Sequence, residues 1–381
     1  MAAAPPEKVT TARLVLRRPM ADDAVAVFES YGNDPVVARF MGWRPQGLEG
    51  VRTFLRRCDA GWADGSTYPW AIMLGGDRLI GMIEVRVVGH RAEIGYALAQ
   101  AAWGQGYATE AARAVVELAL TLPGVRRVWA FHDVENVASG RVLEKAGMER
   151  EGLLRAWFIP PIIGEPRDCW VYARVKDVIE PMSPPPGRGA AIAASTPATV
   201  AHRDDPPVIE TPRLILRRPT MADADAVFES YARDPAVSRY TTWTPHRDVD
   251  DTRGYLAQCE TGWQRGTLLS WLITTREDGQ IIGSIDIRFE SHRAEIGYVL
   301  ARAAWGQGYA TEAVRALMHW ARTVPEVNRV WAVCDVNNVA SARVLEKIGM
   351  TREARLRAWA FLPAFGRPRD VWCYSAIWVP A

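Results

Sequence analysis

The sequence predicts two tandem copies of one α/β domain, each with a mixed β-sheet flanked by helices. The first observation is a repeat, since residues 90–111 return at residues 292–313 with two changes. The second is the alternation of strand-like and helix-like apolar patterns within each copy. The third is a glycine turn, at Gly104 and again at Gly306, between a predicted strand and a predicted helix. Together they indicate a duplicated domain of the α/β class.

Further repeated segments set the limits of the two copies. Residues 11–19 return at 211–219, and residues 142–145 return at 344–347. Between the copies, residues 180–207 are rich in proline, alanine, glycine, serine and threonine. Such a composition buries little apolar surface and is typical of a linker. We therefore expect an N-terminal domain over residues 1–179, a linker over 180–207 and a C-terminal domain over 208–381.

The first half of each copy is predicted to hold four strands and one helix. In the first copy, leucine and valine alternate with arginine over residues 13–18, which is a strand pattern. Apolar residues at helical spacing predict a helix over residues 22–31. Residues 70–74 and 79–88 are predicted as two strands joined by a glycine turn, and residues 91–98 as the next strand.

The second half is predicted as helix, strand, helix and two strands. Residues 109–120 carry alanine and valine on one face and end before Pro123, which predicts an amphipathic helix. Residues 125–131 follow as a strand. Residues 138–146 predict a helix that Gly147 ends in the left-handed conformation. The last predicted strands cover residues 153–158 and 168–174, and the second copy repeats the order.

Composition excludes several classes of protein. Hydrophobic residues make up 49% and charged residues 24% of the 381 residues, as in ordinary globular proteins. No apolar run approaches the roughly 18 residues of a membrane span, and residues 1–10 lack the pattern of a signal peptide, so we expect a cytoplasmic protein with no membrane partner. A net charge of +2 argues against nucleic acid as a partner. The five cysteines form no CxxC pair, so we expect buried free thiols and no metal.

The strongest functional signal is the glycine turn with its flanking residues. Trp103-Gly-Gln-Gly-Tyr-Ala-Thr-Glu-Ala111 recurs over residues 305–313. Glycines let backbone N–H groups approach a diphosphate, and the helix that follows presents its positive end to the same charge. The segment is neither a Walker loop nor a complete GxGxxG fingerprint. A plain tight turn is the alternative interpretation.

Several motifs, in this order and at this spacing, together resemble the GNAT superfamily of N-acetyltransferases. They are Glu93-Ile-Gly-Tyr96, the glycine turn, Asn136-Val-Ala-Ser139 and Glu144-Lys-Ala-Gly-Met148. The chain resembles most the branch that includes the ribosomal-protein N-terminal acetyltransferases. The resemblance covers nearly all of both copies outside the linker. It implies two acyl-CoA N-acyltransferase domains, each with a mixed, mostly antiparallel sheet.

The resemblance also implies which residues bind acetyl-CoA, the expected co-substrate. The pyrophosphate would be held by main-chain amides of the loop, at Trp103, Gly104, Gln105, Gly106, Tyr107 and Ala108, and at Trp305, Gly306, Gln307, Gly308, Tyr309 and Ala310. The superfamily usually has glutamine or arginine where these tryptophans stand, so the pyrophosphate is expected to be bound by the backbone alone. Asn136 and Asn338 would touch the cofactor arm, although each also suits a helix N-cap.

Catalytic roles follow from the same resemblance. Ser139 and Ser341 would protonate the departing thiolate, or else be first-turn helix residues without a role in catalysis. Glu93 and Glu295 would take the proton of the acceptor amine, which a carboxylate of raised pKa can do. The alternative for Glu93 is a strand glutamate paired with the nearby Arg91. Tyr96 lies two residues from Ile94 on one strand face, so it is expected to be structural.

The sequence thus predicts an acetyl-CoA-dependent N-acetyltransferase that works by direct transfer in a ternary complex. Its partners would be acetyl-CoA and an amine, either a peptide N-terminus or a small molecule. Two alternatives stay open: only one copy is catalytic while the other shapes the acceptor site, or the chain is a non-catalytic acyl-CoA sensor. The presence of Glu and Ser in both copies disfavours a sensor. We also expect a monomer in which the duplication has fused a former homodimer.

Overall fold

The computed structural model describes residues 4–176 and 208–378, which form two compact units. The predicted linker over residues 180–207 lies outside the described residues, so its character and the predicted domain limits stay predictions. In the described part of the chain, no helix is long and apolar enough to cross a membrane. All five cysteines are free and buried, as expected.

The first unit is an eight-stranded sheet with five α-helices over residues 4–176. The strands are β1 (Lys8–Thr10), β2 (Leu14–Arg17), β3 (Thr67–Leu74), β4 (Arg78–Val88), β5 (Arg91–Leu98), β6 (Arg127–Asp133), β7 (Glu149–Phe158) and β8 (Arg167–Val175). The helices are α1 (Ala24–Val27), α2 (Pro35–Ala38), α3 (Gly47–Asp64), α4 (Tyr107–Thr121) and α5 (Val137–Lys145). The strand order is β1-β2-β3-β4-β5-β6-β8-β7. Only β5 and β6 run parallel among the paired strands of this unit, which confirms the mixed, mostly antiparallel sheet.

The second unit has the same elements in the same order over residues 208–378. The strands are β9 (Ile209–Glu210), β10 (Leu214–Arg217), β11 (Leu268–Thr275), β12 (Ile281–Glu290), β13 (Arg293–Leu300), β14 (Arg329–Asp335), β15 (Thr351–Leu362) and β16 (Arg367–Ile377). The helices are α6 (Ala224–Val227), α7 (Pro235–Ser238), α8 (Val249–Arg265), α9 (Tyr309–Ala321) and α10 (Val339–Lys347). The strand order is β9-β10-β11-β12-β13-β14-β16-β15, with β13 and β14 parallel.

Each sheet is covered by helices on both faces. In the first unit, Ile83 and Ile94 belong to a core shared with the apolar side of α4. Met82, which points to the opposite face, belongs to a second core with α1 and α3. Because side chains alternate along a strand, neighbouring residues of β4 and β5 face different helical layers. The two faces of these strands can therefore hold different chemistry.

Two helical segments differ from the expectation. The predicted helix over residues 22–31 is divided into a 3-10 turn (Ala21–Asp23), the single α-turn α1 and a π-turn (Phe28–Gly32). Helix α3, of 18 residues, was not predicted. Its signal is present in the chain, since Val51, Leu55 and Cys58 recur at helical spacing and are buried together. Gly147 does adopt a left-handed conformation after α5, with φ of 81°.

Candidate active site

The two parallel strands of each unit separate after a short paired stretch. Strands β5 and β6 pair at three positions, the last of them joining Glu93 to Trp129. In the second unit the last pair joins Glu295 to Trp331. Both strands continue beyond this point, so the edge of β5 from Ile94 onward is no longer paired with β6. We call this opening between the parallel strands the notch.

The glycine loop lies at the end of β5, next to the notch. Gly104 and Gly106 have φ values of 75° and 79°, a conformation that side-chain-bearing residues rarely adopt. Gly106 is the N-cap of α4, which begins at Tyr107. The N–H groups of the first helical turn have no partner inside the helix and form the positive end of its dipole. Gly306 and Gly308 repeat the geometry, with φ values of 75° and 83°.

The tryptophan that opens the loop is bound to the strand before it. The indole N–H of Trp103 donates to the carbonyl of Leu98 at 2.9 Å, and that of Trp305 donates to Leu300 at 2.8 Å. Trp103 as a whole is 44% exposed. Since the indole N–H is the only donor of this side chain and is used inside the protein, the Trp103 side chain has no donor left for a phosphate.

Asn136 and Ser139 lie at the start of α5, where the chain returns from β6. The Asn136 side chain accepts a hydrogen bond from the Ser139 N–H at 3.2 Å, so Asn136 is the helix N-cap. Asn338 does the same for Ser341 at 3.2 Å. The capping interpretation is therefore correct for both asparagines, and their predicted contact with a ligand stays a prediction.

A tyrosine expected to be only structural reaches the predicted catalytic serine. The hydroxyl of Tyr96 lies 2.8 Å from that of Ser139, and Tyr298 lies 2.8 Å from Ser341. Burial raises the pKa of Tyr96, although its hydrogen bond with Ser139 acts in the opposite direction. The phenol is therefore protonated at neutral pH and can donate to the serine. The strand thus joins the helix through two hydroxyls, a contact between distant segments that strand alternation alone does not reveal.

The predicted base projects from the other face of β5. Glu93 is 17% exposed, and one of its carboxylate oxygens lies 3.7 Å from the Arg86 guanidinium on β4. The matching distance between Glu295 and Arg288 is 3.2 Å. Each predicted base thus lies beside an arginine of the neighbouring strand.

A second carboxylate, absent from the sequence prediction, lies beside the first. Glu84 of β4 is opposite Gly95, and Asp286 of β12 is opposite Gly297. A methyl group added at Gly95 would stand 3.7 Å from the Glu84 carboxylate, and one at Gly297 would stand only 3.1 Å from Asp286. Gly297 therefore leaves room for the Asp286 side chain across the strand, whereas a methyl group at Gly95 would only touch Glu84 at an ordinary van der Waals distance.

Glu84 combines a buried setting with contact to solvent. Burial raises the pKa of its carboxyl, while the positive charges of Arg86 and Arg57 oppose the rise. Its side chain is still 32% exposed. A sequence signal for Glu84 was available, because it is an acidic residue on the same strand face as the buried Met82.

Helix α3 and the loop before it, like α8 and its preceding loop in the second unit, cover the sheet face that bears the second carboxylate. In the first unit, Trp43 stacks on Phe54 of α3 with ring centroids 4.4 Å apart. In the second unit, Trp243 lies beside His246, with centroids 5.5 Å apart. The two units therefore differ in polarity next to otherwise similar strands.

A sheet that opens between two parallel strands, with a glycine loop and helix dipole at the opening, is the architecture of an acyl-CoA-dependent acyltransferase. Sequence comparison agrees, because the model of the acetyltransferase (GNAT) domain matches residues 13–149 and again residues 213–351. The chain belongs to the GNAT acetyltransferase family and carries two of its domains. The predicted fold, family and enzyme class are therefore confirmed.

Single-domain relatives match one copy at a time. The uncharacterized N-acetyltransferase p20 of Bacillus licheniformis is 33% identical over 170 residues, which are 44% of this chain and 94% of the relative. The uncharacterized N-acetyltransferase YoaA of Bacillus subtilis is 30% identical over 174 residues, 45% of this chain and 97% of the relative. A GNAT-family acetyltransferase structure from Bacillus anthracis is 27% identical, covers 45% of this chain and 98% of its own, and has a TM-score of 0.39.

Proposed function

We propose that each unit transfers an acetyl group from acetyl-CoA to a primary amine by direct attack within a ternary complex. The observation that carries this proposal is the division of polar groups at the notch. Carboxylates lie on one face of β5 and the Tyr–Ser hydroxyl pair on the other, in both units. Such a division suits a reaction that removes a proton from one reactant and gives a proton to another.

The donor would bind with its diphosphate at the glycine loop. The backbone of residues 104–108, and of 306–310 in the second unit, would provide N–H groups to the phosphates, and the first turn of α4 or α9 would add its dipole. The predicted contribution of the Trp103 and Trp305 main chain is left out, because these N–H groups already donate to the carbonyls of Gln100 and Arg302, at 3.0 and 3.1 Å. Asn136 and Asn338 would lie beside the cofactor arm. The thioester would then reach the notch, where the unpaired edge of β5 after Tyr96 can offer main-chain N–H groups to the oxyanion.

The acceptor would approach from the face that bears the carboxylates. Glu93 and Glu295 are the bases expected from sequence, and Glu84 and Asp286 are the neighbouring candidates. An ammonium group gives its proton to the carboxylate, and the free amine attacks the thioester carbon. As the carbon–sulfur bond breaks, the nitrogen gives a second proton to solvent and becomes a neutral amide, and the carboxyl group then returns its own proton to solvent. A carboxyl whose pKa is raised by burial, as for Glu84, is better matched to this task than a fully solvated one.

The leaving group would depart on the hydroxyl face. As the carbon–sulfur bond breaks, the Ser139 hydroxyl gives its proton to the sulfur and draws one from Tyr96 at 2.8 Å. The tyrosine is then restored from solvent. Ser341 and Tyr298 would do the same in the second unit. No covalent enzyme intermediate forms, so a single encounter of both substrates completes the transfer.

A panel of amines tests the proposal. The purified chain is incubated with acetyl-CoA and, in turn, with peptides bearing free N-termini, amino acids and small polyamino compounds, and the products are followed by mass spectrometry. We expect one class to gain an acetyl group at a primary amine. Tight binding of acetyl-CoA without acetylation of any amine would instead favour an acyl-CoA sensor.

A further inference from the structure

An arginine just before β2 joins the glycine loop to the helix behind it. Arg13 donates from Nη1 to the carbonyl oxygen of Gln105 at 2.9 Å. Its Nε donates to the Glu110 carboxylate at 2.7 Å, and its main-chain N–H donates to the same carboxylate at 2.8 Å. The Thr11 hydroxyl adds a further hydrogen bond to Glu110 at 2.6 Å. Four hydrogen bonds therefore connect residues 11–13 to the loop and the first turn of α4.

The second unit builds the same network. Arg213 donates to the carbonyl of Gln307 at 3.0 Å and to the Glu312 carboxylate at 2.7 Å. Thr211 donates to Glu312 at 2.7 Å. Each guanidinium also lies over the ring of the first helical tyrosine, at 4.6 Å from the Tyr107 centroid and 4.5 Å from that of Tyr309.

The hydrogen bond to the carbonyl determines where the next amide points. A trans peptide unit is planar, so its C=O and the following N–H point in opposite directions. When Arg13 holds the Gln105 carbonyl on its own side, the Gly106 N–H is turned to the other side of the loop. The glycines on either side of Gln105 impose little restriction of their own, because glycine tolerates many backbone conformations. An external contact is therefore needed to keep this peptide plane in one orientation.

The arginine also balances the negative charge of a carboxylate near the loop. Glu110 and Glu312 lie in the first turn of the helix whose positive end faces the loop. Burial alone would raise the pKa of Glu110, but hydrogen bonds from Thr11 and Arg13 outweigh it and the pKa is lowered. The carboxylate is therefore ionised, and it would repel a diphosphate if the guanidinium did not balance it.

We propose that Arg13 and Arg213 are positioning residues for the CoA diphosphate. They hold the Gln105 and Gln307 carbonyls back, so that the N–H groups of Gly106 and Gly308 face the phosphates, and they balance the helix carboxylates. This inference rests on the proposed binding of acetyl-CoA at the loop. Residues far upstream in sequence would thus fix the orientation of the loop backbone.

Calorimetry on the full chain tests it with two ligands, CoA and pantetheine, which lacks the diphosphate. In the double variant R13A/R213A we expect the Kd for CoA to rise about tenfold, the effect of losing a typical hydrogen bond and its charge balance. The affinity for pantetheine should stay unchanged. R18A/R218A is the matched control. These arginines also pair with acidic residues and stack on a tryptophan, but their described contacts do not include the glycine loops over residues 103–108 and 305–310. The affinity of this control for CoA should equal that of the native chain.

A conservative variant guards against misfolding. Lysine in R13K/R213K keeps the charge but cannot hold carbonyl and carboxylate with one planar fork, so CoA affinity should fall between those of the native chain and R13A/R213A. Unchanged CoA affinity in both folded variants, or an equal loss for CoA and pantetheine, would overturn the positioning role. Failure of the native chain to bind CoA would instead refute the proposed function.

Discussion

At the scale of single residues, the site depends on which face of β5 each side chain occupies. Tyr96 points toward the helix that carries Ser139, whereas Glu93 points toward Arg86 on the neighbouring strand. Gly95 stands between them in sequence and lies on the carboxylate face, opposite Glu84. One short strand thus keeps the proposed acid and the proposed base apart, which prevents direct proton exchange between them.

Removing a carboxylate should slow the reaction without weakening CoA binding. We expect both E93Q/E295Q and E84Q/D286N to lower kcat. The variant that lacks the general base should lose about a hundredfold. Because the acceptor amine loses its own proton as pH rises, the loss should shrink at high pH. Profiles of kcat against pH, with calorimetric Kd values for CoA, check this, and the larger loss identifies the base. Full activity of both variants at neutral pH would mean that all four carboxylates are structural.

Removing the serine hydroxyl should affect the leaving group. We expect S139A/S341A to lower kcat by about tenfold to a hundredfold with CoA thioesters. The loss should be smaller for a thioester of a more acidic thiol, which departs without a proton. Y96F/Y298F should act through the same step, so adding it to the serine variant should cause little further loss. Independent, additive effects on kcat would separate the tyrosine from the serine.

At the scale of elements, the helix that carries the serine packs differently on the preceding strand in the two units. In the first, a methyl group at Gly140 of α5 would stand 2.8 Å from Nε2 of His132 on β6, and the His132 ring is buried and held by the Asp133 carbonyl at 2.7 Å. In the second, Ala342 and the smaller Cys334 occupy these positions. The smaller helix residue, Gly140, thus faces the larger strand residue, His132, and the larger helix residue, Ala342, faces the smaller strand residue, Cys334.

This exchange predicts a coupled pair. Alanine stabilises a helix by about 1 kcal/mol relative to glycine, but overpacking against the His132 ring costs about 1–3 kcal/mol. We therefore expect G140A to lower the free energy of unfolding by about 1 kcal/mol in the native chain. In the H132C background the same change should raise it by a similar amount. Urea unfolding of the four proteins gives the coupling, and equal effects in both backgrounds would contradict the fit described here.

The loop and its helix form the other element on which function depends. Proline at Gly106 cannot adopt the positive φ of 79° and deletes an N–H. Calorimetry of the native chain should give a stoichiometry near two for CoA, since both units have the loop, and G106P or G308P should each reduce it to one. A native value near one, abolished by a single loop variant, would mean that the other unit has lost its donor site. Unchanged affinity and stoichiometry in a folded variant would refute the diphosphate assignment.

At the scale of the whole molecule, the duplication predicts a fused homodimer that is monomeric in solution. Surfaces that once joined two copies would be costly to leave exposed, because large apolar patches promote association. Expression of residues 1–180 and 207–381 as separate chains tests this. We expect the halves to associate with each other in size-exclusion chromatography and light scattering. Two monomeric, fully active halves that do not associate would show that the copies are only connected in series.

The sequence by itself determined the number of units, their family and most of their elements. The repeat is visible without a structure, strand alternation and helical spacing are local, and the glycine loop and the capping Asn136 depend on residues close in the chain. Helix α3 was within reach of the same patterns, although its polar composition concealed it.

Only the tertiary structure decided which side chains meet. Tyr96 and Ser139, Glu84 and Gly95, and Arg13 and Gln105 are far apart in sequence or on different strands. Local periodicity states which face a side chain occupies, but register and helix placement determine what lies opposite it. The opening between β5 and β6, on which the proposed chemistry rests, is likewise a property of two strands that pair over three residues and then separate.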